Sequence, residues 1–269
     1  MDKKIFFFYS QLYKKQHHQC QSFKKSIIIV TNNLITRVFK NENYSVPIWF
    51  LRQAGRHIPE YFQIRKDERD FVNFCLNEDL IIKSTTLPLK YYDLDAAIIF
   101  SDILMIPWAM DRNVKFTKNF GPSLKPMVPD ETKFLKNISL RSKLEPLKNS
   151  ISYLRNKLPK SISLIGFAGA PWTLACYMIE GTGSKDFINT RKALWGSYKW
   201  FMELIETLII YIADKLEMQA RAGADILMIF DSWSHMIPNN FFDDCAIRPT
   251  ARIIDILRSK KIFVPVIGF

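Results

Sequence analysis

Along the chain, short uninterrupted apolar runs alternate with longer stretches in which apolar residues return every three or four positions. The first run, Val46, Ile48, Trp49, Phe50 and Leu51, predicts a buried strand. Pro59 then suits the first turn of a helix, and Asn77 can cap a second one running through Leu80, Ile81 and Leu87 towards Tyr92. Residues 96–100, Ala-Ala-Ile-Ile-Phe, are a second run of the kind found in parallel strands buried on both faces. Residues 111–140 are polar, lysine-rich and broken by Gly121, Pro122 and Pro129, which predicts an excursion with little regular structure. Leu144, Leu147, Ile151, Leu154 and Leu158 recur at helical spacing up to Pro159. Further strands are expected at 163–167, 225–230 and 262–267, with helices at 190–222 and 248–258.

Strand, polar residues, helix, repeated in that order, builds a parallel α/β fold. The residues with chemical potential follow directly on strands: Arg52 and Arg56, Asp102, Gly169 and Ser232. In a (β/α)8 barrel the carboxyl ends of all strands open on one mouth, and that mouth carries the site. A doubly wound sheet would also gather them at strand ends, but no GxGxxG follows any strand here. The barrel is the predicted architecture.

Charge sharpens this picture. The chain of 269 residues has a formal net charge of +12, unevenly spread. Residues 1–40 carry eight Lys or Arg against a single acid, Asp2, while residues 41–269 hold 30 basic and 25 acidic groups. The basic N-terminal stretch reads as an extension, poorly ordered, or as an organellar presequence. The body is only mildly basic, which favours a local anion site over a nucleic-acid surface. His17, His18 and Cys20 lack a second ligand cluster for a metal. The four cysteines are irregularly spaced with no CxxC, as expected of reduced thiols in a cytoplasmic protein, and no apolar run is long enough to span a membrane.

The stretch Arg52-Gln53-Ala54-Gly55-Arg56 places two guanidinium forks at one strand end, with small residues that let a ligand approach the backbone. Such forks suit carboxylates or phosphates. Taken alone, the two arginines read equally as solvated surface charges. Asp102 reads as a helix cap or a functional acid, Ser232 as a simple cap, and Tyr177 as a core residue. Trp172 and Phe230 read as packing. Gly181-Thr182-Gly183-Ser184-Lys185 lacks the spacing and the preceding strand of a phosphate loop.

Four ordered blocks, PIWFLRQAGRHIPEY, AAIIFSDIL, LIGFAGAPWTLACYMIEG and QARAGADILMIFDS, resemble the uroporphyrinogen decarboxylase family of haem biosynthesis from about Val46 to Phe269. The resemblance implies a (β/α)8 barrel without cofactor or metal, usually a homodimer. It also implies removal of the carboxyl groups from the four acetate side chains of uroporphyrinogen, giving coproporphyrinogen. Position by position, it assigns Arg52, Gln53, Ala54 and Arg56 to substrate binding, with Arg52 also a candidate proton donor. Asp102 matches the aspartate that meets the pyrrole N–H groups, and Tyr177 and Ser232 match further substrate contacts. His57 stands where the family more often has Tyr, and His235 where it usually has Ala-Gly. The pattern provides about five of eight βα units in 41–269, so the expectation is a partial barrel, poorly soluble and inactive in this form. Two other readings follow from the same residues. One is a related barrel methyltransferase with a zinc site; the other is a basic protein binding nucleic acid through residues 1–40.

Overall fold

The computed structural model describes residues 33–42, 45–51, 53–55, 57–66, 68–117, 121–135 and 138–269. Its centre is a parallel sheet of four strands: β1 (Ala96–Ile98), β4 (Ser163–Gly169), β5 (Ile226–Phe230) and β6 (Val266–Gly268). They lie side by side in chain order, with Ile98 opposite Ile165, Gly166 opposite Leu227 and Leu227 opposite Val266. Helices lie between successive strands, the succession of a (β/α) barrel. The stretch 111–140 is more structured than its composition suggests. Lys115–Thr117 (β2) and Gly121–Ser123 (β3) pair as a short antiparallel ribbon, followed by a 3-10 segment, Pro129–Leu135.

Local sequence explains most boundaries. The Asn77 side chain accepts from the Leu80 N–H at 3.1 Å and opens the helix Glu78–Thr86. Asn33 caps Leu34–Val38 in a reciprocal box with Thr36. The Asn33 amide oxygen also accepts from the Ser163 hydroxyl at 2.6 Å, so this helix docks at the start of β4. The helical region expected at 190–222 is two helices, Ile188–Gly196 and Tyr198–Ala222, because Ser197 adopts φ −140° and breaks the path. The second ends at Gly223, whose φ of 114° few side chains would tolerate.

The first expected strand does not form. Val46 is 85% exposed, and Ile48, Phe50 and Leu51 are also exposed. Only Trp49 of this run packs against the core. An apolar run becomes a strand when neighbouring chains take up its backbone groups. Among the described residues only Ile48 of this run is so paired: its N–H donates to the Asp95 carboxylate at 2.6 Å and its carbonyl accepts from the Asp95 N–H at 2.8 Å. The edge of β1 is instead met by a side chain. Gln53 Nε2 donates to the Ala96 carbonyl at 2.7 Å and Gln53 Oε1 accepts from the Ile98 N–H at 3.1 Å. Gln219 repeats the device on β4, its amide bridging the N–H and carbonyl of Phe167 at 2.9 Å each.

Ion pairs lock the opposite end of the barrel. Arg155, at the end of the helix Glu145–Lys157, pairs with Asp225, which also accepts from the Leu164 N–H at 2.7 Å. Glu217 meets Arg141 at 2.6 Å, Lys260 at 2.7 Å and Arg221 at 2.8 Å. Burial works against its ionisation, yet Lys260, Arg221 and Arg141 together hold its carboxyl at about 2. A lowered carboxyl pKa contributes stability above the ordinary carboxylate range that is lost as pH falls towards 2. Glu217→Gln is expected to cost about 2–3 kcal/mol at pH 7. The loss should shrink towards zero near pH 2, as urea titrations across that range would read.

Candidate active site

The carboxyl end of β1 leads through Ile99 and Phe100 to Ser101-Asp102, and the helix Met105–Ala109 follows. One carboxylate oxygen of Asp102 accepts from the Leu104 N–H at 2.8 Å. The bond closes the turn ahead of that helix, whose own N-cap is Leu104 and has no side-chain cap, and it engages half the carboxylate: among the described residues Oδ2 has no hydrogen bond. Burial pushes the Asp102 carboxyl above its ordinary range, while the Leu104 N–H and the Lys215 ammonium pull it back. A partly buried carboxylate with an unengaged oxygen is an acceptor prepared for N–H donors.

Tyr177 lies on the helix Pro171–Glu180, which leaves the end of β4 with Pro171 in its first turn and closes at Gly181. The Tyr177 ring is half-buried, at 6.2 Å from Trp233 between centroids. Burial raises its phenol, the Trp233 side chain resists, and the negative charge of Asp102 adds to the rise.

Beyond β5, Asp231 is fastened to the helix Pro171–Glu180. The Thr173 hydroxyl donates to Asp231 Oδ1 at 2.7 Å and accepts from the Trp233 N–H at 3.1 Å. The Trp172 indole donates to the Trp233 carbonyl at 2.9 Å. This clamp fixes the turn that carries Ser232, which is exposed at the strand end. Burial pushes the Asp231 carboxyl up to about 6, against the donation from Thr173. Trp172 is fully buried against Phe201. Phe230 packs edge-on to Phe167 at 5.2 Å, and His235 faces solvent.

Arg52 and Arg56 lie outside the described residues. Between them, Gln53 is buried with both ends of its amide engaged by β1, so its side chain holds the segment against that strand. Ala54 is partly buried and His57 is exposed, 6.2 Å from the Tyr92 ring. An apolar wall of Tyr61, Phe71, Phe74 and Phe100 stands beside the end of β1, with centroids 5.1 to 6.4 Å apart.

Two buried groups escape the sequence reading. Lys215 is fully buried on the long helix, its ammonium 3.5 Å from the Asp102 carbonyl and 5.5 Å from the Phe167 ring centroid. Burial pushes it down to about 8, resisted by Asp102 and Cys75. The signal was available: Leu208, Ile212, Lys215 and Gln219 return at helical spacing, so this lysine stands on the apolar stripe. Cys75 is the second, its thiol raised by burial and by Asp102.

Among the described residues no group of three or more His, Cys, Asp or Glu side chains could hold a metal, and no helix is long and apolar enough to cross a membrane. A shallow groove lined by Ile188, Arg191, Lys192 and Trp195 contains none of the candidate residues.

Against known proteins, the family model described as uroporphyrinogen decarboxylase (URO-D) matches residues 30–269. A uroporphyrinogen decarboxylase of Maricaulis maris is 40% identical over 241 residues, 89% of this chain and 70% of its own. One from Rickettsia africae is 42% identical over 237 residues, 87% of this chain and 68% of its own. Among solved structures, a methyltransferase from Methanosarcina mazei superposes with a TM-score of 0.65 at 16% identity, covering 88% of this chain and 68% of that one. At that identity the likeness shows a shared fold.

Proposed function

Because this chain belongs to the uroporphyrinogen decarboxylase family, we propose that its strand-end mouth removes the acetate carboxyl groups of uroporphyrinogen to give coproporphyrinogen. The observation that carries the reading is Asp102: a partly buried carboxylate beyond the end of β1, with one oxygen held by Leu104 and the other open. Loss of CO2 from a pyrrole acetate needs an electron sink. Protonation of the pyrrole carbon makes one, an iminium-like ring that takes the electron pair as the C–CO2 bond breaks. A second proton on the exocyclic carbon turns the former acetate into a methyl group, and the first proton then leaves the ring carbon to restore the pyrrole. For each acetate, one proton is consumed and one CO2 released.

Asp102 accepts the pyrrole N–H groups and stabilises the positive ring electrostatically. Arg52 and Arg56 grip substrate carboxylates, and Arg52 delivers the proton, a demanding role for a guanidinium. Tyr177 and Ser232 make further substrate contacts, and the wall of Tyr61, Phe71, Phe74 and Phe100 keeps water from the ring. The active species is a cytoplasmic homodimer. Anaerobic turnover of uroporphyrinogen with chromatographic detection of coproporphyrinogen tests the assignment, and methyl transfer without decarboxylation would reverse it. Arg52→Lys separates its two roles. A binding role predicts a KM raised about tenfold or more with kcat little changed, whereas proton delivery predicts loss in kcat.

A further inference from the structure

Lys215 takes no part in the mechanism above, yet a fully buried ammonium is costly to keep and its surroundings are specific. It projects from the middle of the long helix Tyr198–Ala222, which packs on β4. Its Nζ lies 3.5 Å from the main-chain carbonyl of Asp102 and 5.5 Å from the centre of the Phe167 ring. Four residues on, Gln219 holds the backbone of the same Phe167, so one helix face fixes the lysine and the strand beneath it together. Among the described residues, the groups that face Asp102 electrostatically are Lys215 from this helix, Cys75 from the end of the short helix Phe71–Phe74, and Tyr177 from the helix after β4. Cys75 and Tyr177 both remain neutral near pH 7, since burial raises each. The ammonium is therefore the described positive charge that balances the carboxylate from within the protein.

We propose that Lys215 is a positioning residue for decarboxylation, holding the Asp102 main chain in place and its carboxylate in the anionic form that receives the pyrrole N–H groups. The inference rests on the decarboxylase reading. Burial alone would favour a neutral Asp102, and a neutral carboxyl loses most of its power to stabilise a positive ring. Lys215 stays protonated below about 8, so the pair is charged through the neutral range.

The test compares wild type with Lys215→Met, which keeps the volume, and Lys215→Gln, which keeps a donor without the charge. In anaerobic turnover, both variants should move the acid limb of kcat/KM upward by about one pH unit, so that activity falls about tenfold on that limb and recovers at higher pH. Combined with Asp102→Asn, neither should add a further loss. A direct titration of the Asp102 carboxyl by carbon NMR, assigned by its absence in Asp102→Asn, should show the same upward shift without any turnover. An unmoved limb and an unmoved resonance would overturn the proposal, as would losses that simply multiply in the double variant. A shifted resonance in a wild-type protein that does not decarboxylate uroporphyrinogen would instead overturn the decarboxylase reading and leave the charge coupling standing.

Discussion

Asp102→Asn is expected to lower kcat for uroporphyrinogen on the order of 10²- to 10³-fold, with a much smaller change in KM. Asparagine keeps an oxygen for the Leu104 N–H, so the turn into the helix Met105–Ala109 should survive. What disappears is the negative charge at the position where positive charge develops on the substrate. Because that charge matters more to the transition state than to the bound ground state, the loss belongs in kcat. An unchanged melting temperature beside this kinetic loss would show that catalysis was lost without unfolding. Retention of more than about a tenth of the activity would remove Asp102 from its assigned role.

The second large effect concerns stability and has the opposite sign. Asp231→Asn is expected to stabilise the protein at pH 8 by about 1–3 kcal/mol. Burial raises the Asp231 carboxyl to about 6, above its ordinary range. A group shifted that way favours folding in its protonated form; its contribution is complete at low pH and is lost as pH rises through about 6. Asparagine can still accept the 2.7 Å bond from Thr173 and never pays for ionisation. The gain over wild type should therefore be present at pH 8 and vanish near pH 4. Thermal melts at the two pH values decide it, a gain of the same size at both being inconsistent with the ionisation argument.

How much was legible in the sequence differs from residue to residue, for physical reasons. Asp102 stood out because an aspartate directly after a buried apolar run must be capping or working, and the structure gives one of its oxygens to the Leu104 N–H ahead of the helix without capping it. Tyr177 sits mid-helix between Cys176 and Met178, and only the four ordered blocks single it out. The sheet from β1 to β6 was readable because strands buried on both faces need continuous apolar runs. The run at Val46 shows the limit of that signal, since composition records the wish for burial and not the neighbour that would provide it. The ribbon Lys115–Thr117 with Gly121–Ser123 is too short to leave a period of two. Lys215 broke an apolar stripe in plain view, but a lysine beside many surface lysines carries little weight until its partner across the core is known.

The Gln53 amide has one more consequence. A true strand at that edge would be tied to β1 by its whole backbone, and moving it would require a slip of register that turns every side chain over. A segment held by the Gln53 amide and the Ile48 pairing with Asp95, without a full ladder, is free of that constraint. The stretch around Gln53 can be re-aimed, lengthened or shortened by mutation while β1 and Asp102 stay where they are. On the proposed roles, substrate grip and charge stabilisation can thus drift separately over evolutionary time, and selection for a differently sized polycarboxylate has a point of entry that leaves the chemistry untouched.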